Sequence, residues 1–271
     1  MKEFGVQLYS IRNEFTTVES TRQAFLKLKE FGYTQAQTAG TYDYIDPKQF
    51  REFADEAGIK IVGTHYNWDR IANDIEGTVK YHQILGTNEI GIGGYGIADM
   101  DALKAFIADF NRLGKIYKEY GMVLSYHNHS GEFGNQFKAY EGKTLFDYLL
   151  EGFDPDCTCF NLDAGWAHLA GIDVRDLIET KMKGRINIVH IKDIEANHEY
   201  TEIPMGNGYN FHGPQRIEIG RGNMNFAGII KTAEACGAKY FVVEDEVYST
   251  GNPLDSVRMS AEYIKSALVE K

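Results

Sequence analysis

Five short stretches concentrate side chains able to bind metals and move protons. They are Thr64-His65-Tyr66-Asn67-Trp68, Tyr126-His127-Asn128-His129-Ser130-Gly131-Glu132, Asn161-Leu162-Asp163-Ala164-Gly165-Trp166, Val189-His190-Ile191-Lys192-Asp193 and Val243-Glu244-Asp245-Glu246. Taken singly, each has an ordinary explanation. A lone histidine can be a hydrogen-bonded structural residue, and Asp245 and Glu246 can be solvated loop charge. As a set, the imidazoles and carboxylates form a donor mixture that suits one divalent ion such as Mn²⁺, Mg²⁺, Co²⁺ or Zn²⁺. Asp163, His190 and Glu244 are each the first strong ligand of their own stretch. For a fourth ligand Glu132 is favoured, because the Ser130-Gly131 turn can fold its carboxylate back, and His127 is the alternative.

These stretches act together only if the chain brings them to one place. Short apolar or β-branched runs alternate with longer amphipathic segments, the pattern of repeated βα units and a parallel sheet. Strands are predicted at Phe4–Tyr9, Tyr33–Thr38, Lys60–His65, Glu89–Gly93, Met122–Asn128, Thr158–Asp163, Ile186–Lys192 and Tyr240–Glu244. Helices are predicted at Ser20–Phe31, Pro47–Ala57, Thr78–Leu85, Asp101–Tyr120, Thr144–Leu150, Val174–Met182, Phe226–Ala235 and Ser256–Val269. Glycine follows several of the helices immediately before the next strand, as in Phe31-Gly32 and Ala57-Gly58. Eight units imply a single-domain (β/α)₈ TIM barrel, an α/β fold spanning 1–271. An open doubly wound sheet uses the same units, but Tyr9-Ser10-Ile11-Arg12 follows the first strand where a glycine-rich phosphate loop would stand.

In such a barrel the chemical stretches fall at the C-terminal strand ends, where active sites lie. Neighbouring strands would then aim their carboxylates at one axis, and a bound cation relieves the repulsion between them. Asp193 to Met224 is the one long connection and is expected to cover this face.

Composition narrows the partners. The chain has 271 residues, 43% hydrophobic, and a net charge of −11 from 39 acidic and 28 basic residues. A surface of that sign repels phosphate backbones, which argues against nucleic acid. No run of about 18 apolar residues suggests a membrane span. Cys157, Cys159 and Cys236 are odd in number and lack disulfide-like spacing, and no signal-like start is evident, so a cytoplasmic protein is expected.

The chain resembles the xylose-isomerase-like barrel superfamily, which includes sugar isomerases, epimerases and dehydratases as well as metal-dependent apurinic endonucleases. The likeness rests on Gly5-Val6-Gln7-Leu8-Tyr9-Ser10, His127-Asn128-His129-Ser130-Gly131-Glu132-Phe133, Asp163-Ala164-Gly165-Trp166, His190-Ile191-Lys192-Asp193, Gly220-Arg221-Gly222 and Val243-Glu244-Asp245. The resemblance implies one divalent ion held by Glu132 (or His127), Asp163, His190 and Glu244. It also implies a small-molecule sugar or cyclitol substrate, and copies that can pair as a homo-oligomer. Two positions depart from the pattern: His127 stands where many members begin the fifth-strand motif with a glutamate, and Gln37 where many carry a glutamate near the second strand end. The endonuclease branch needs a histidine where Trp166 stands and an Asp-x-His pair beyond the seventh strand, and neither is evident.

The implied activity is metal-dependent sugar isomerisation or epimerisation through an enolate, with a dehydratase or lyase on a keto-sugar or inosose as the alternative. A non-catalytic sugar-binding barrel is the second alternative. Glu132 and Glu244 are the candidate bases, with His129 and His65 as proton carriers near neutral pH. Lys192 could steady a developing oxyanion or pair with Asp193. Trp68 and Trp166 could offer faces to a sugar ring, His127 or His129 could contact substrate, and Arg221 could bind an anionic group or brace the long connection.

Overall fold

The computed structural model describes residues 1–137, 141–195, 203–204, 210–211, 215–246 and 248–269. Eight parallel strands close into a barrel: β1 Gly5–Gln7, β2 Gln35–Ala39, β3 Lys60–His65, β4 Glu89–Ile92, β5 Val123–His127, β6 Thr158–Asp163, β7 Ile186–Ile191 and β8 Tyr240–Val243. Closure is direct, with Gly5 opposite Val242 and Val6 opposite Val243. Among the described residues no helix is long and apolar enough to cross a membrane.

Among the described residues ten helices surround the strands: α1 Val18–Phe31, α2 Pro47–Ala57, α3 Trp68–Asn73, α4 Ile75–Leu85, α5 Met100–Glu119, α6 Leu145–Gly152, α7 Ala164–Leu169, α8 Val174–Thr180, α9 Phe226–Ala235 and α10 Pro253–Ala267. Side-chain caps explain many of the starts. Thr17 and Ser20 form a reciprocal capping box on α1, and Asp46 caps α2 ahead of Pro47. The main core lies between helices and barrel; Phe106, Phe110 and Phe153 cluster there, with the Phe110 and Phe153 rings stacked and their centres 4.3 Å apart.

Two local outcomes differ from expectation. The first strand stops at Gln7 rather than Tyr9, because the Gln7 side chain accepts the Tyr9 amide and starts a 3₁₀ turn over Leu8–Glu14. Two short helices, α3 and α7, directly follow strand ends whose Asn67 and Asp163 side chains cap them. Such brief elements carry too few turns for periodicity to reveal.

In the connection 193–224, Asp193–Glu195 pairs antiparallel with Gln215–Ile217, and Ile203–Pro204 with Asn210–Phe211. Most of the remainder lies outside the described residues. Asp193 organises the base of this segment by accepting the amides of Ile194, Gly220, Gly222 and Met224.

Candidate metal centre

Strand alternation carries the buried polar residues into the lumen at its C-terminal end. His127 ends β5, Asp163 ends β6, His190 is the penultimate residue of β7, and Glu244 follows β8. One donor atom from each lies within 4.8 Å of all the others. His127 Nε2 is 3.4 Å from Asp163 Oδ2 and 3.7 Å from Glu244 Oε2, while His190 Nδ1 is 2.8 Å from Glu244 Oε2 and 3.9 Å from Asp163 Oδ2. Neither ring nitrogen of His127 makes a hydrogen bond, although both are buried.

A relay of amides orients His190. The Tyr9 N–H donates to Gln7 Oε1 at 3.2 Å, which aims Gln7 Nε2 at Gln37 Oε1, 2.9 Å away. Gln37 Oε1 lies 2.6 Å from His190 Nε2, so that nitrogen carries the proton and donates. The Nδ1 lone pair then faces a carboxylate oxygen at 2.8 Å, a contact between two electron pairs unless a cation or a proton lies between them. Together with the orphaned His127 nitrogens, this donor set fits a divalent ion.

Electrostatics agree with that fit. Burial pushes the Asp163 and Glu244 carboxyls up, but the Lys192 ammonium and nearby imidazoles outweigh it and hold both below the ordinary range. Burial, reinforced by neighbouring imidazoles, depresses His65 and His127, and it brings His129 down to about 4. These rings are therefore neutral, the form that accepts a proton or a metal.

A cavity of about 700 Å³ opens above the group, a size suited to a small organic ligand. His65, His127, His129, Trp166 and Glu244 line it, together with Tyr9, Arg216 and Glu246. The last three lie outside the residues that motif reading singles out as substrate contacts. Arg216 and Lys192 both pair with Glu246 and both lie over the Trp166 ring, at 4.8 and 4.7 Å from its centre.

Several expected residues are placed elsewhere. Glu132 stands outside the four-residue group: one oxygen accepts the Tyr126 hydroxyl and the other the His129 amide, each at 2.9 Å. A 3₁₀ turn over Gly131–Phe133 turns it toward β5 rather than the axis, and His127 takes the fifth-strand position. Trp68 packs against Tyr95, Phe106 and Phe110 and does not line the cavity. Arg221 donates to Ser249 and approaches Glu218, bracing the loop. Lys192 pairs with Asp163, Glu244 and Glu246 rather than Asp193. Asp245 and Glu246 are not solvated loop charge, since Asp245 is buried against Ser260 and Glu246 holds the two cations. Cys157, Cys159 and Cys236 are buried free thiols.

The xylose isomerase-like TIM barrel family profile matches residues 25–267. An inosose dehydratase of Bacillus velezensis is 29% identical over 166 residues, 59% of this chain and 53% of that protein. The chain therefore spans about half the length of this curated relative. An inosose dehydratase of Geobacillus thermodenitrificans is 26% identical over 246 residues, 89% of this chain and 73% of that protein. A sugar phosphate isomerase/epimerase of Parabacteroides distasonis superposes with a TM-score of 0.79 at 26% identity, covering 98% of this chain and 94% of the other.

Proposed function

The chain belongs to the xylose isomerase-like TIM barrel family, and from that premise we propose that it is a sugar-processing enzyme, a metal-dependent dehydratase acting on a keto-sugar or keto-cyclitol. The curated relatives described above are inosose dehydratases, which supports the substrate class. His127, Asp163, His190 and Glu244 would hold the ion, whose role when bound is that of a Lewis acid drawing electrons from a substrate oxygen.

The observation that favours dehydration over epimerisation is the occupancy of Glu132. Moving a proton between two faces of one carbon calls for acid–base groups on both sides, and the fifth-strand carboxylate has both oxygens tied to Tyr126 and His129. Elimination asks for one base and one acid. His129 is a neutral ring at the cavity wall, and its backbone is fixed by Glu132, so it is suited to take the proton from the carbon beside the carbonyl. As that C–H pair forms the C=C bond, the C–O bond at the next carbon breaks, and the Lys192 ammonium can protonate the departing hydroxide to give water. Trp166, 5.7 Å from His129 and 4.7 Å from Lys192, supplies the face between them. Connection 193–224 contributes Arg216 to the wall, which supports a covering role for its described part.

Isomerisation or epimerisation is the second reading, favoured by the likeness to the Parabacteroides protein. Incubation of the metal-loaded protein with an inosose and with keto-hexoses in D₂O separates the two. Dehydration yields a conjugated enone with its ultraviolet absorbance. Deuterium entry with changed stereochemistry and no enone would contradict dehydration and support the second reading.

A further inference from the structure

Lys192 shares the inward parity of His190 on β7 and is only 1% exposed. The fold makes room for it. A Cβ at Gly165 would come within 2.6 Å of the Lys192 carbonyl oxygen and 2.9 Å of its Cγ, so a glycine there lets the lysine stem pass beneath α7. Its Nζ lies 3.0 Å from Asp163 Oδ2, 3.2 Å from Glu244 Oε2 and 2.6 Å from Glu246 Oε1. Two of these oxygens are the ones that Asp163 and Glu244 turn toward the His127 and His190 nitrogens, and the third belongs to a residue of the cavity wall.

We propose that Lys192 is the resident counter-cation of the metal group, competing with the divalent ion for Asp163 and Glu244 and, when the ion enters, giving up those two oxygens while keeping its contacts with Glu246 and the Trp166 face. Without an ion, the ammonium keeps two buried carboxylates from repelling each other. With one, both positive charges would crowd the same two oxygens, and Glu246 with the indole face, which the ammonium already touches, offers it a second seat. Metal loading then leaves the amine held by the cavity wall alone, where the dehydratase reading needs its acid. The inference rests on that reading's metal site.

The test is metal affinity, measured by competition between the protein and a chromophoric chelator for Zn²⁺, Co²⁺ and Mn²⁺. Lys192→Met keeps the stem and removes the charge, and it should bind metal at least about 10-fold more tightly, while Lys192→Arg should not. With EDTA present, Lys192→Met should melt lower than wild type and regain that loss on metal addition. Should Lys192→Met fail to fold, Glu246→Gln reads the same competition from the other side, because weakening the second seat should loosen metal binding by about 3-fold or more. Wild type that binds metal, with Lys192→Met binding no more tightly or Glu246→Gln unchanged, would overturn the competition and leave the metal site standing. Failure of every folded variant to bind metal would overturn both. Binding by Lys192→Met alone would support the competition while contradicting the metal-dependent reading of the wild type, so the two fail separately.

Discussion

Two ends of one lumen bury carboxylates in opposite ways. At the mouth, Asp163 and Glu244 are buried beside Lys192 and the imidazoles and stay ionised below the ordinary carboxyl range. Toward the floor, Glu89 opens β4 and is equally buried, but burial there pushes its carboxyl up to about 8, with Ser125 and Asn187 beside it offsetting only part of the cost. Burial is common to both, so cations decide the charge state. The difference teaches where this barrel keeps usable charge: at the C-terminal strand ends, with the N-terminal end neutral and structural.

Removing charge at the mouth should have the largest effect. Asp163→Ala takes away a ligand candidate that also caps α7, and it should weaken Zn²⁺ or Mn²⁺ binding on the order of 10³-fold, about 4 kcal/mol, as read by chelator competition. Retained affinity would erase the contrast between the two ends. Gln37→Leu leaves all four donors but removes the acceptor that fixes the His190 proton on Nε2. A loss of about 10- to 100-fold in metal affinity is expected, the scale of an outer partner of a metal-bound histidine.

At the floor the effect should be smaller and opposite in sign. The native Glu89 carboxyl is raised above its unfolded value, so the folded state holds the extra proton between about pH 4.5 and about 8, and stability falls as pH rises through that window. Glu89→Gln removes this dependence. Urea melts should show the variant more stable than wild type by about 1–2 kcal/mol at pH 8, with the gain shrinking toward pH 5 and metal affinity unchanged. A variant that loses stability at pH 8 would show that Glu89 is charged and paired.

Much of this was legible in residue order. Eight βα units, ended by left-handed glycines such as Gly32 and Gly58, specify the closed barrel without any tertiary information. The convergence of Asp163, His190 and Glu244 was legible too, because each is the first strong donor at its own strand end and closure brings those ends together. The choice between His127 and Glu132 depends on the 3₁₀ turn at Gly131–Phe133 and on the Tyr126 hydroxyl that captures Glu132, contacts that strand parity alone does not reveal. Gln37 stood out only as a departure from a family glutamate, and its pairing with Gln7 was hidden for another reason: an uncharged amide in a strand shows no partner until the strands close and set 30 residues of separation to 2.9 Å. Glu246 looked like loop charge because its partners, Lys192 and Arg216, lie far from it in sequence.

The central claim is that one divalent ion is held by His127, Asp163, His190 and Glu244. Metal analysis of the purified protein, followed by an anomalous-diffraction map of crystals from the same sample, tests it most directly. The account predicts one ion per chain in contact with these four side chains, with Glu132 still bonded to Tyr126. A protein that takes up no ion after incubation with Mn²⁺, Co²⁺ and Zn²⁺, or an ion bound by Glu132 in place of His127, would contradict it.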